Sequence, residues 1–178
     1  MTPPRATGRP EIRRDGTWIV FVRHLDAPVE QVWAAVTDPR RLERWIGTWT
    51  GDPASGSVAF RMTAEEGMPE EVHRIEACEP PRLLRTRARG EGLDGQDHDW
   101  RLEIRLAEDG GGTALHLAQF LPEAAWAHSI GPGWDYYLDR LVAAETGGDV
   151  AAVDFGRDYY PALVPAYEQR FPLAHRQP

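Results

Sequence analysis

The chain has 178 residues, a formal net charge of -8 and 42% hydrophobic residues, values typical of a soluble globular protein with one sizeable core. The negative charge argues against a nucleic-acid binder, and no apolar run approaches the roughly 18 residues that a membrane span needs. Cys78 is the single cysteine, which excludes an internal disulfide and a cysteine-based zinc cluster and makes a reducing cytoplasm the expected location.

The N-terminal part combines a tail, a strand and two short helices. Residues 1–16 are rich in Pro, Gly and Arg, and they predict a flexible tail. The β-branched and aromatic run 17–25 predicts a first strand. Apolar residues then recur at helical spacing in Val29, Val32, Trp33 and Val36. A shorter helix follows Asp38-Pro39 and carries Leu42, Trp45 and Ile46.

A run of strands occupies the middle of the chain. Alternating apolar residues or turn signals mark strands at residues 57–63, 70–79, 83–89, 99–106 and 113–121. The sequence Asp-Gly-Gly-Gly at 109–112 is a strong hairpin signal between the last two. Their close spacing predicts an antiparallel meander rather than alternating strands and helices.

A long helix is predicted over residues 131–146, opened by Pro132 and Gly133 and ended by two glycines. Its large apolar side chains fall within an arc of roughly 140° and are Trp134, Tyr137, Leu138, Leu141 and Val142. Asp135, Asp139 and Arg140 fall outside that arc. Residues 154–171 add a helical patch, which Pro161 and Pro165 make short or kinked. The expected architecture is an α+β sandwich in which this helix covers one face of the sheet.

Four motifs in this order resemble the helix-grip fold of the START-like (SRPBCC) superfamily, in the branch named after the C-terminal domain of the Hsp90 ATPase activator Aha1. They are D-A-P-V-E-Q-V-W-A-A-V-T-D-P-R-R-L-E-R-W at 26–45, E-P-P-R-L-L at 79–84, G-G-T-A-L-H-L at 111–117 and G-W-D-Y-Y-L-D-R-L at 133–141. The resemblance implies a START-like domain over residues 17–146, with an antiparallel sheet of about six or seven strands wrapped on the long helix. Residues 147–178 form an extension beyond the common core, expected to pack on the same domain or on a partner.

Members of this superfamily commonly bind apolar or aromatic molecules between the sheet and the long helix. The residues expected to line such a cavity are Trp45, Trp49, Phe60, Met62, Trp100, Leu117, Gln119, Trp134, Tyr137, Leu138, Leu141 and Glu145. A solid core is the alternative, because aromatic stripes are usually core. Glu145 is either an acid inside the cavity or an exposed side chain at the helix end, and the exposed position is favoured. Arg74 and Arg85 are expected at the surface, whereas Gln119 is equally compatible with either position.

Other motifs do not support a catalytic or metal site. The sequence G-E-G-L-D-G at 90–95 matches a dinucleotide motif, but a strand follows it instead of a helix, which favours a hairpin loop. Asp97, His98 and Asp99 do not converge on a strand. The serines lie in no nucleophile elbow, and Cys78 is expected to be a small core residue.

The leading hypothesis is therefore a non-catalytic protein that binds a hydrophobic or aromatic small molecule, with no metal, no cofactor and no nucleic acid. One alternative is a polyketide cyclase or aromatase, which needs an ionisable group in the cavity, with Glu145 as the candidate. Another is an Aha1-like chaperone or protein-partner module, and a homodimer is compatible with either. The absence of Lys and Asn, both with A-rich codons, favours a bacterial source.

Overall fold

Eight strands form one antiparallel sheet in a computed structural model of the chain, which describes residues 4–65 and 67–171. In chain order the strands are β1 (Arg9–Arg13), β2 (Gly16–Leu25), β3 (Gly47–Thr50), β4 (Ser57–Met62), β5 (Glu71–Glu79), β6 (Leu83–Glu91), β7 (Asp97–Asp109) and β8 (Gly112–Leu121). Their order across the sheet is β1-β2-β8-β7-β6-β5-β4-β3, so the predicted meander runs from β3 to β8. Strand β2 then pairs with β8, and β1 forms one edge.

Five α-helices accompany the sheet. They are α1 (Val29–Thr37), α2 (Pro39–Leu42), α3 (Ala127–Thr146), α4 (Phe155–Asp158) and α5 (Val164–Arg170). The side chain of Asp38 caps α2 by accepting hydrogen bonds from two backbone N–H groups of its first turn. The α+β helix-grip fold predicted from the sequence is thus the observed one. Within the described residues, no helix has both the length and the apolar character to cross a lipid bilayer.

The core lies between one face of the sheet and helices α1 and α3. We call this the inner face; it carries the odd-numbered residues of β2 and β8 and the even-numbered residues of β7. Its residues Ile19, Phe21 and Leu115 have no exposed surface, and neither do Leu138 and Leu141 of α3. Side chains that alternate with these point to the outer face, which is rich in Arg and Glu.

Strand β1 corrects the expectation of a flexible tail over residues 1–16. Residues Arg9–Arg13 pair along their full length with the first residues of β2. Strand β3 is the other element that the sequence did not reveal, and together the two bring the sheet to eight strands instead of six or seven. Strand β1 has five residues and strand β3 has four, and neither has an apolar pattern of its own. Both are edge strands, which are held in the sheet by pairing with a neighbouring strand.

The long helix begins at Ala127, four residues before the predicted start at Gly131. Pro132 therefore lies inside α3, in its second turn, where its missing N–H costs one intrahelical hydrogen bond. The helix ends at Gly147 in the left-handed conformation, as the sequence predicts.

The extension beyond Thr146 packs back on α3. Tyr159, Leu163, Tyr167 and Phe171 are all buried and join the main hydrophobic core. The described part of the extension, residues 147–171, therefore packs on the same domain, and residues 172–178 lie outside the described residues.

Candidate functional site

We give the name groove to the incompletely covered apolar surface beside α3 on the inner face of strands β3–β7. Helix α3 packs chiefly on β2 and α5, so it leaves the far half of the sheet less covered. The large apolar side chains there are only half-buried, in contrast to those beneath α3 near β2. The residues that define the groove are Trp49, Phe60, Met62, Trp100, Leu102, Gln119 and Trp134.

The two ends of the groove are built from tryptophans. At one end, Trp126 packs on Trp100, with their ring centroids 6.0 Å apart. At the other end, the indole N–H of Trp49 donates to the backbone carbonyl of Thr37, 2.8 Å away. These contacts fix the rings, so the apolar surface is preorganised for an occupant.

One polar contact crosses the middle of the groove. The indole N–H of Trp134 on α3 donates to the side-chain carbonyl of Gln119 on β8. Nearby, the phenol of Tyr137 donates to the carboxylate of Glu65. Burial, reinforced by that carboxylate, raises the pKa of Tyr137 well above its ordinary value, so this side chain stays a neutral hydrogen-bond donor.

The structure divides the twelve residues predicted to line the cavity. Six of them border the groove: Trp49, Phe60, Met62, Trp100, Gln119 and Trp134. Five others are packed in the core with at most 6% of their surface exposed: Trp45, Leu117, Tyr137, Leu138 and Leu141. Only the first six therefore lie on the incompletely covered part of the inner face.

Glu145 occupies neither of the positions considered from the sequence. Its side chain is 4% exposed, and it forms ion pairs with Arg41, which donates a hydrogen bond to it, and with Arg44 at 3.5 Å. The exposed position is therefore wrong, and so is its role as a cavity acid. A helical wheel of α3 alone cannot show that α2 and the turn after it bring two guanidinium groups to the last turn of α3.

Two polar side chains of β5 face the groove and were not predicted. His73 lies opposite Val58 and Glu71 lies opposite Phe60, which places both on the inner face. The ring of His73 meets that of Phe60 edge to face, with centroids 5.5 Å apart. The alternation of Glu71, His73 and Ile75 along a strand was the available signal.

Glu71 and His73 meet Trp100 at a position where the sheet has no side chain. A Cβ at Gly90 would lie 3.3 Å from both the Glu71 Oε1 and the Trp100 Nε1. The Nε2 atom of His73 is 3.6 Å from the Glu71 Oε2, too far for a hydrogen bond. It is buried and has no hydrogen-bond partner among the described residues. We call Glu71, His73, Gly90 and Trp100 the polar corner.

The remaining sequence motifs lie outside the groove. Arg74 and Arg85 are on the outer face, where Arg85 pairs with Glu103 at 2.7 Å. The glycine-rich segment 90–95 leads through a turn from β6 to β7, with no helix after it. In residues 4–65 and 67–171 no three His, Cys, Asp or Glu side chains are arranged to hold a metal.

Cys78 is exposed, which corrects its assignment to the core. It lies near the end of β5, after an irregularity in the pairing with β6 between Ile75 and Ala77. That irregularity shifts the alternation of side chains, and an ideal strand pattern does not predict it.

Comparison with known proteins gives one family and a group of similar structures. The model of the family described as activator of Hsp90 ATPase homolog 1-like protein matches residues 26–145. The crystal structure of CalU16 from Micromonospora echinospora is 29% identical, with a TM-score of 0.63 and coverage of 96% of this chain and 94% of that one. Its solution structure is 27% identical, with a TM-score of 0.66 and coverage of 94% and 90%.

A third structure shares the fold at lower identity. The crystal structure of DynU16, from the dynemicin biosynthetic locus, is 24% identical over 75% of this chain and 49% of that one, with a TM-score of 0.62. No curated protein sequence matches the chain.

Proposed function

The chain belongs to the activator of Hsp90 ATPase homolog 1-like family of the START-like superfamily, and from this premise we propose that it binds an aromatic or otherwise apolar small molecule in the groove. The observation that carries the proposal is the row of half-buried aromatic side chains along β3, β4, β7 and α3. Covering them would remove apolar surface from water, worth about 25 cal/mol for each Å².

Two further features support a small molecule as the occupant. Apolar ligand sites usually combine aromatic walls with a few fixed polar groups, and Gln119 and His73 are such groups here. DynU16, which has the same fold, comes from the dynemicin biosynthetic locus.

A neutral fluorescent probe tests this proposal directly. N-phenyl-1-naphthylamine brightens in apolar sites and accepts energy from tryptophan, and Trp100 and Trp134 border the groove. We expect saturable brightening together with quenching of tryptophan emission. The substitution Phe60→Ala removes one wall of the groove and should raise the Kd for the probe about tenfold. This change is equivalent to roughly 1.4 kcal/mol of lost aromatic contact.

Val72→Ala is the matched control, because Val72 lies one residue from His73 on the opposite face of β5 and is 66% exposed. Probe affinity should be unchanged in this variant. Circular dichroism of both variants shows whether they are folded. Equal affinity for the Phe60→Ala and native proteins would place the probe elsewhere, and an absence of saturable binding would reject the proposal.

A cyclase of the polyketide type is the second candidate, favoured by the ionisable pair Glu71 and His73 on the wall of the groove. In such a reaction His73 would accept a proton from a carbon between two ketones. The resulting enolate would attack a distant carbonyl to form the carbon–carbon bond of the ring, and the alkoxide would take its proton back from His73. Loss of the second proton of the attacking carbon to His73 would then form the C=C bond as the hydroxyl, protonated by His73, leaves as water. Ring closure of a poly-β-ketone that is lost in His73→Phe while binding persists would favour this candidate. An Aha1-like protein-partner role stays a prediction.

A further inference from the structure

Hydrogen-bonding capacity is left unused in the polar corner. The Nε2 of His73 is buried without a partner, and a buried polar atom left unsatisfied costs about 1–3 kcal/mol. The Glu71 carboxylate is 3.6 Å from it and only accepts hydrogen bonds. The two groups therefore do not satisfy each other.

A ligand atom can approach this corner only from the groove. The space at Gly90 itself is filled, because a Cβ there would lie 3.3 Å from both Glu71 and Trp100, closer than ordinary van der Waals contact. The Trp100 indole N–H is already engaged, because it donates to the Gly90 carbonyl at 3.1 Å. The side chains of His73 and Glu71 are 22% and 38% exposed, so an occupant of the groove can reach the carboxylate, and a shift of the Glu71 side chain would open the buried His73 Nε2 to it.

Resting on the proposed function, we infer that the polar corner recognises a hydroxyl group on the aromatic ligand, so that the ligand class is phenols and related hydroxylated arenes. A hydroxyl oxygen both donates and accepts. It would donate its proton to the Glu71 carboxylate and accept a hydrogen bond from the His73 Nε2–H. An ether or a ketone at the same position could only accept, and it would leave Glu71 without a partner.

The adjoining wall fits the rest of such a ligand. Phe60 contacts His73 edge to face, so an aromatic ring bound against Phe60 would direct its substituent toward the corner. Hydroxyl recognition next to an aromatic wall explains why a histidine and a glutamate occupy inner-face positions of β5 that would otherwise carry apolar residues.

The test compares two ligands that differ only in the hydroxyl. Displacement of bound N-phenyl-1-naphthylamine is measured with 2-naphthol and with 2-methoxynaphthalene. In the native protein, 2-naphthol should compete at about tenfold lower concentration, as expected for one hydrogen bond to a charged partner. In Glu71→Gln, whose amide can also donate to an ether oxygen, this ratio should fall toward one. In His73→Phe both ligands should bind more weakly, because both accept a hydrogen bond from the His73 Nε2–H.

Further variants separate hydrogen bonding from damage to the fold. His73→Gln keeps a donor and should retain part of the affinity for both ligands. His116→Phe changes an exposed histidine on the outer face and should retain all of it. A ratio near one in the native protein, an unchanged ratio in Glu71→Gln, or native affinity for both ligands in His73→Phe overturns the inference while leaving the proposed function in place. If the probe itself does not bind, both fail together.

Discussion

Asp135 has no exposed surface, although it lies on a helix in a protein with abundant solvent-exposed carboxylates. Its carboxylate accepts hydrogen bonds from the Thr7 backbone N–H at 3.1 Å, from the Thr7 hydroxyl and from the Tyr167 phenol. The Arg23 guanidinium lies 3.2 Å away. One buried carboxylate thus joins residues that are up to 128 positions apart in the chain.

The protonation of Asp135 should be visible in the pH dependence of stability. Burial raises the pKa of Asp135 above its ordinary value near 4, although the bonds from Thr7 and Tyr167 oppose this. The folded state then binds the proton more tightly than the unfolded state, so ionisation lowers stability as the pH rises from about 4 through the raised pKa.

We therefore expect the free energy of unfolding of the native protein, minus that of Asp135→Asn, to decrease over this pH window. Urea denaturation at a series of pH values measures both quantities. Exposed carboxylates with lowered pKa values, such as Asp99, are common to both proteins and cancel in the difference. A difference that rises with pH would contradict the assignment.

At the level of elements, α3 contains two glycines with opposite roles. A methyl group at Gly131 would overlap the Tyr167 ring of α5. A methyl group at Gly133 would meet no atom within 4 Å. Gly131 is thus required for the close approach of the extension to α3, whereas Gly133 only weakens the helix.

The two substitutions should therefore change stability in opposite directions. Gly131→Ala should destabilise the protein by about 1–3 kcal/mol through overpacking. Gly133→Ala should stabilise it by up to about 1 kcal/mol through helix propensity. Each kcal/mol moves the Tm of a protein of this size by roughly 2–4 °C, which calorimetry resolves. Similar shifts for both variants would mean that Tyr167 does not hold the position described.

The same elements show where sequence reasoning succeeds. Three features were predictable because they depend only on local geometry. They are the apolar face of α3, the alternation of apolar and polar residues along β7, and the glycines after Asp109. Edge strand β1 and the buried state of Asp135 depend on partners distant in the chain. A helical wheel therefore places Asp135 outside the apolar arc but cannot supply Thr7 or Tyr167 as its neighbours.

Those residues of the candidate site that belong to local patterns were also predictable from the sequence. Phe60, Met62 and Trp134 follow from alternation and from the helical wheel. Glu145 was misplaced because the arginines that bind it come from α2 and the turn after it, about one hundred positions away. His73 and Glu71 were not predicted, because a pattern of apolar residues does not identify polar residues on the same face of β5.

At the scale of the molecule, both ends of the described chain are built into the fold. Arg170 donates to the backbone carbonyls of Ala6 and Gly8, 2.6 Å and 3.1 Å away. The Gly8 N–H in turn donates to the Tyr167 phenol at 3.1 Å. The segment before β2 and the extension after α3 therefore support each other on one side of α3.

We expect this region to unfold together with the sheet. Hydrogen exchange measured by mass spectrometry should show similar opening free energies for peptides covering β8 and for peptides covering Leu163–Phe171. The substitution Tyr167→Phe, which removes two hydrogen bonds, should lower the protection of the second peptide and of β1 more than that of β5. Rapid exchange of the extension in the native protein, with the sheet protected, would instead identify it as an independent appendage.

The contact between Arg170 and Ala6 brings the two ends of the described chain together. Residues 164 positions apart in sequence are in direct contact, on the side of α3 away from β3–β7. A short peptide joining the two ends, with new termini opened at the exposed turn Gly110–Gly111, would preserve the native contacts in a circularly permuted chain. Partners joined to the described chain before Ala6 and after Arg170 would therefore project from the same side of the molecule.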